Sequence, residues 1–198
     1  DVKIMAKASS DVEARAKIAP VEHEIARRLS GHIYGVDDQT LPGAIHVILQ
    51  QSRKTLAVAE SITGGSICAA LTTVSGSSKS FMGGVVAYDN AVKTDVLGVS
   101  PATLQRTGAV SEETAIEMAQ GVRKRLSTDI GISTTGIAGP TGGSIEKPVG
   151  LVWIALASPQ SSHAVKLQLR GDRTFIQRRA AVAALGFLWR ALARSEPI

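Results

Sequence analysis

One cysteine, two tyrosines, two tryptophans and three phenylalanines are all this sequence offers of the residues that build disulfide frameworks, thiolate metal cages and base-stacking platforms. With Cys68 alone, an internal disulfide and a cysteine-based zinc site are both excluded, and a reducing cytoplasm becomes the expected compartment. No apolar run nears the roughly 20 residues that cross a bilayer, and the start has no basic-then-apolar leader pattern, so a soluble protein without membrane engagement is expected. The usual nucleotide signatures are missing too. There is no G-x-x-x-x-G-K-[ST], and Gly136, Gly139 and Gly142 are spaced G-x-x-G-x-x-G ahead of a strand, which fits neither a P-loop nor a dinucleotide fingerprint. His23, His32, His46 and His163 lie outside every glycine-rich turn and form no H-x-x-x-H pair, which leaves a metal site or a Ser-His-Asp triad without support.

What remains is enough for one sizeable core and a short appendage, since 198 residues exceed what a minimal domain needs. A net charge of +5 and a pI near 9.6 raise the question of nucleic acid. The basic residues are spread along the chain, however, and few aromatics are present to stack bases, so no direct nucleic-acid partner is expected. Arg123, Lys124 and Arg125 fall late in a helical stretch, where cations suit the dipole, and Arg170, Arg173, Arg178 and Arg179 form a second local group.

Periodicity divides the chain in order. Val2 to Lys7 alternates like the end of a strand, and Asp11 to Leu29 has helical spacing interrupted by Pro20, which is expected to kink or divide it. Gly31, Gly35, Asp37 and Asp38 then mark a boundary, giving residues 1–38 as a remnant of an upstream or linker domain and 39–198 as the main domain. Beyond it the pattern predicts a helix at 41–52, strands at 55–59 and 81–88, short helices at 91–97 and 101–106, and a long helix to Leu126 capped by Ser111. A strand at 130–135 runs into a glycine-rich loop, strands at 149–157 and 163–169 follow as a hairpin pair, and Arg173 to Arg194 closes the chain as a helix. Interleaved strands and helices with consecutive strands near the end imply an α/β fold, a three-layer α/β/α sandwich on a mixed sheet.

Amide hydrolysis without metal or histidine needs a hydroxyl nucleophile, a base other than imidazole, donors for the oxyanion and an acid for the leaving ammonia. Serine with lysine supplies the first two, provided burial or a cationic neighbour lowers the lysine pKa from about 10.4. Two serines stand near such groups: Ser61 at a strand-to-helix turn, and Ser78 in Gly76-Ser77-Ser78-Lys79, with Tyr88 and Lys93 following. The turn Glu60-Ser61-Ile62-Thr63-Gly64-Gly65 also fits a phosphate site at a helix start. Equally, Ser61 or Thr63 could merely cap that helix, and Ser77 and Ser78 could be turn residues.

Ala59-Glu60-Ser61-Ile62-Thr63-Gly64-Gly65, Gly76-Ser77-Ser78, Tyr88-Asp89-Asn90-Ala91-Val92-Lys93, Gly108-Ala109-Val110-Ser111, Thr135-Gly136-Ile137-Ala138-Gly139-Pro140, Glu146-Lys147-Pro148-Val149-Gly150 and Gly171-Asp172-Arg173 together resemble the successive motifs of the CinA C-terminal domain family. The family commonly carries cysteine where this chain has Ile62, so a cysteine nucleophile at that turn is impossible here, and Cys68 reads as a small core residue. The resemblance implies a nicotinamide mononucleotide deamidase that forms nicotinate mononucleotide and ammonia, without metal or organic cofactor, acting as a homodimer with the 111–126 or 173–194 helix in the interface. It also carries the positions Ser78, Lys93 and Tyr88, for which the expected division of labour is Ser78 as nucleophile, Lys93 as base and Tyr88 as orienter or proton relay, with Ser61 the alternative nucleophile. Thr63, Gly64, Gly65 and Asn90 are expected at the substrate, with Thr135 and Gly136 opposite them and Arg173 on its phosphate. Lys147 is the weaker phosphate candidate, expected to be solvated. A different reading is a non-catalytic nucleotide-binding or protein-interaction module tied to competence or recombination.

Overall fold

The computed structural model describes residues 2–194. Five strands form one sheet in the order β2-β1-β3-β4-β5: β1 (Leu56–Glu60), β2 (Phe81–Val86), β3 (Ile130–Gly136), β4 (Leu151–Ala157) and β5 (Ser162–Gln168). β1 runs parallel to both β2 and β3, whereas β3, β4 and β5 are successively antiparallel. The mixed sheet expected from the sequence is therefore present, and its antiparallel half contains the hairpin pair β4–β5 read from consecutive strands.

Seven α-helices accompany it among the described residues: α1 (Asp11–Arg28), α2 (Leu41–Gln51), α3 (Ser66–Thr72), α4 (Asn90–Asp95), α5 (Pro101–Thr107), α6 (Glu112–Arg125) and α7 (Arg173–Ala193). Polar caps begin five of them: Ser10 accepts from the Glu13 amide, Thr40 from Gly43, Asp89 from Ala91, Ser111 from Thr114 and Asp172 from Phe175. α2, α3 and α7 cover one face of the sheet, and α6 covers the other.

Strand alternation explains why the two faces differ. Leu56, Val58, Ile130, Ile132, Val152, Ile154 and Leu156 point to the α2/α3/α7 side and make the large core. Trp153 apart, their neighbours on the opposite face are small: Ala57 and Ala59, Gly131 and Ser133, Ala155 and Ala157. A Cβ added to Gly131 would lie 2.1 Å from the Ala119 carbonyl oxygen, and the Ser133 hydroxyl donates to the Ala115 carbonyl at 2.6 Å. Small residues thus let α6 lie close against the sheet.

Two expectations fail in the N-terminal region. Val2 to Lys7 forms no strand, having no partner strand to pair with, and Pro20 does not divide α1, which runs unbroken through it. No residue of α1 is buried. The segment after it packs on the domain: Tyr34 meets Trp189 of α7 edge to face at 6.4 Å between ring centroids.

Because β1, β2 and β3 are parallel, their carboxyl ends gather at one edge of the sheet, where ligands bind in open α/β folds. The starts of α4, α6 and α7 lie at this same edge, which gives it a concentration of loops.

Candidate functional site

A cavity of about 170 Å3 opens at that edge, lined by Ser61, Tyr88, Asn90, Lys93, Thr135, Gly136 and Arg173, with Ile62, Ala109, Val110 and Ala138 supplying its apolar wall. Seven of the residues expected at the site from the sequence are therefore brought together. Ser61 follows β1, Tyr88 and Asn90 follow β2, Thr135 and Gly136 end β3, and Arg173 opens α7. A broader open groove of about 560 Å3 between the 95–98 turn and α6 holds no serine-lysine pair and none of these residues.

Lys93 is 1 % exposed, a rare state for an ammonium. Its Nζ donates to the Ala87 carbonyl at 2.8 Å and the Tyr88 carbonyl at 3.2 Å. Burial pushes its pKa down from the ordinary lysine value, and the nearby Asp89 carboxylate partly opposes the shift. A neutral amine has two N–H groups and one lone pair; with both protons turned to carbonyls, the lone pair is what remains for the cavity.

Tyr88 contributes to Lys93 through its main chain. Its ring is largely exposed at the cavity mouth, and its hydroxyl accepts from Arg173 Nη2 at 2.5 Å, while Arg173 Nη1 donates to the Gly139 carbonyl at 2.9 Å. The guanidinium is thereby aimed across the entrance. Thr135 is buried and donates to the Ala109 carbonyl at 2.6 Å, which fixes the loop ahead of α6 as one wall. Gly136 has to be glycine: a Cβ there would stand 2.7 Å from the Leu151 carbonyl oxygen and 2.8 Å from Ile62 Cδ1.

Ser78 is not at this site, which corrects the expectation that it works with Lys93 and Tyr88. It lies in a 3-10 turn, Ser77–Lys79, ahead of β2, whereas Tyr88 and Lys93 come after it. Ser80 bonds the first residue of β1 and Ala87 bonds the last, so the two groups occupy opposite edges of the sheet. Six strand residues carry the chain about 20 Å between them. Ser61 takes the serine position in the cavity.

Thr63, Gly64 and Gly65 do not line the cavity. Thr63 turns inward to bond Thr134 at 2.8 Å, and Gly64 and Gly65 take φ values of +60° and +101° to make the turn into α3. Of the turn amides expected to hold an anion, Gly64 donates to the Ser61 carbonyl at 3.2 Å and Gly65 to Glu60, which is fully buried. Its carboxylate accepts from the amides of Gly65 (2.9 Å), Ile67 (3.2 Å) and Cys68 (2.8 Å). Among the described residues the Ile62 and Thr63 amides donate to no protein acceptor. Burial and the adjoining Glu60 push the Cys68 thiol pKa up, as suits a core residue.

Lys147 is not a solvated loop lysine: its ammonium donates to the Thr107 and Val110 carbonyls and braces the loop that forms the cavity wall. That wall, Ala109 and Val110, had no assigned role from the sequence, although Gly108-Ala109-Val110-Ser111 was among the motifs. His46 is a core histidine, its ring bonded to the Ser80 hydroxyl at 2.6 Å and the Leu71 carbonyl at 3.0 Å. No cluster of three His, Cys, Asp or Glu suited to a metal ion occurs among the described residues. Among them, too, no helix is long and apolar enough to cross a membrane.

A mixed sheet covered on both faces, with a serine, a buried lysine and an arginine lining one cavity at its carboxyl edge, defines an α/β protein with a candidate site there. The chain belongs to the CinA C-terminal domain family, whose profile it matches over residues 38–192. It is 48 % identical over 191 residues to a CinA-like protein of Kosmotoga olearia, covering 96 % of this chain and 46 % of that one. A CinA-like protein of Trichormus variabilis is 47 % identical over 194 residues, with 96 % and 47 % covered. The chain thus spans about half the length of these relatives. Among solved structures, a competence/damage inducible protein (CihA) from Agrobacterium tumefaciens superposes with a TM-score of 0.75 at 38 % identity, covering 81 % of this chain and 98 % of that one. A CinA superfamily protein from Klebsiella pneumoniae gives 0.75 at 32 %, with 78 % and 96 % covered.

Proposed function

We propose that this chain hydrolyses the carboxamide of nicotinamide mononucleotide to nicotinate mononucleotide and ammonia, with Ser61 as nucleophile and Lys93 as its base. The observation that carries this reading is that Ser61 lines the same cavity as a buried lysine whose pKa burial lowers and whose two carbonyl partners leave a lone pair free. Ser61 Oγ attacks the amide carbon while its proton passes to Lys93 Nζ. The oxyanion forms within reach of the Ile62 and Thr63 amides. Collapse breaks the C–N bond, Lys93 returns the proton to the departing nitrogen, and water then hydrolyses the Ser61 ester by the same route to release the acid.

A cavity of about 170 Å3 is smaller than the roughly 300 Å3 at which pockets for whole drug-sized ligands begin, so it suits the pyridine carboxamide alone. The ribosyl phosphate then lies at the mouth, where Arg173 presents a planar fork. The site is read as working without a metal or organic cofactor, and the substrate as the small-molecule partner. The test is ammonia release from nicotinamide mononucleotide by the purified chain, compared across Ser61→Ala, Lys93→Ala and Ser78→Ala. The first two should lose at least about 10²-fold in kcat, in the range of general acid–base contributions, and the third should stay near wild type. Turnover lost in Ser78→Ala but kept in Ser61→Ala would overturn the assignment, and nucleotide binding without ammonia release would favour a non-catalytic module.

A further inference from the structure

Glu60 is the last residue of β1, is fully buried, and forms no ion pair among the described residues. A buried carboxylate without a cation is costly unless hydrogen bonds replace its water. Here backbone amides do so. Oε2 accepts from Gly65 and Ile67 and Oε1 from Cys68, drawing the first turn of α3 back onto the end of β1. The five residues between strand and helix, Ser61 to Gly65, are thereby closed into a loop whose two ends are tied to one side chain. The same residue also acts through its main chain: its carbonyl accepts from the Ala87 amide at 2.7 Å, and the Ala87 carbonyl in turn holds Lys93 Nζ.

We propose that Glu60 is the positioning residue of the site, its side chain fixing the turn that presents Ser61 and its main chain registering the strand end that anchors Lys93. This rests on the serine-lysine reading above and deepens it. A short acid cannot reach both amides of α3 from β1, and an amide side chain would set its own N–H groups against backbone N–H donors, leaving at least one unsatisfied. Misplacing a nucleophile by about 1 Å can cost on the order of 10²-fold in rate. Nothing in this role touches the substrate, so affinity should be spared.

The experiment compares wild type, Glu60→Gln and Glu60→Asp in the full chain by two independent readouts. Amide hydrogen exchange at Gly65, Ile67 and Cys68 reports the turn regardless of chemistry. Labelling of Ser61 by a fluorophosphonate, in which Oγ displaces fluoride and its proton passes to Lys93, reports the alignment of nucleophile and base. Glu60→Gln should speed exchange at those amides and slow labelling by roughly 10- to 100-fold, with kcat for nicotinamide mononucleotide falling in parallel and KM unchanged. The pH at which labelling rises should not move, because Lys93 stays buried. Labelling at the wild-type rate in a folded Glu60→Gln protein would overturn the proposal. Should that variant fail to fold, Glu60→Asp decides: an intermediate slowing supports the role and a wild-type rate refutes it. Wild type that neither takes the label nor releases ammonia would instead defeat the serine-lysine reading, and the exchange data would still show whether Glu60 holds the turn.

Discussion

Lys93 pits function against stability at a single side chain. Burial disfavours its ammonium, so the neutral amine is reached below the ordinary pKa of 10.5, and the initial rate should climb with pH through that lowered value and then level off. Lys93→Arg should not restore turnover, because guanidinium stays protonated, and pH–rate profiles of the two proteins check both points. The linkage runs the other way for folding. The unfolded chain binds this proton more tightly than the folded one, so stability falls as pH drops from 10.5 through the lowered pKa. Lys93→Met should therefore melt higher than wild type at pH 7, the gap closing toward pH 10.5, even though it is inactive. Ser61→Ala and Lys93→Ala should each remove most of kcat, and the double variant should be little worse than either, since both serve one proton transfer.

At the scale of elements, the close contact of α6 with the sheet and its neighbours depends on missing side chains. A Cβ at Gly121 would stand 1.9 Å from the Leu97 carbonyl oxygen. Gly121→Ala should cost about 1–3 kcal/mol or more by overpacking and lower Tm by several degrees in a thermal melt. The helix start at Ser111 was legible in the sequence because a cap is a local device, the helices from Leu41 and Arg173 were legible from their periodicity, and so was the antiparallel hairpin, because its strands follow one another. The placement of Ser78 was not. Ten residues separate it from Tyr88, which looks like proximity until β2 is laid between them as extended chain. The turn at Gly64 and Gly65 was half legible for a related reason: periodicity marks the turn, but not that the acid just before it folds back to take the amides of Gly65, Ile67 and Cys68. Most residues lining the cavity had been singled out in the sequence, whereas the partners that hold them, Gly139, Ala109 and Glu60, emerge only from packing.

Seen whole, the protein is a closed domain carrying a helix that adds nothing to its core. Since α1 buries no residue, deleting residues 2–30 should leave the Tm of the domain nearly unchanged, and limited proteolysis should cut in this region first. The sheet and its two helical layers should survive intact. A homodimer remains the expected assembly, with α6 or α7 at the interface, and light scattering that finds only monomer at micromolar concentration would reject it.

The turn that presents Ser61 holds isoleucine where the family commonly holds cysteine, and the one thiol in the chain, Cys68, is kept protonated by burial beside Glu60. A thiol that does not ionise is slow to alkylate or oxidise. The proposed serine-lysine centre accordingly has no thiol that peroxide or disulfide stress can convert, and its turnover should survive iodoacetamide or mild peroxide treatment that would silence a thiolate at the same bend.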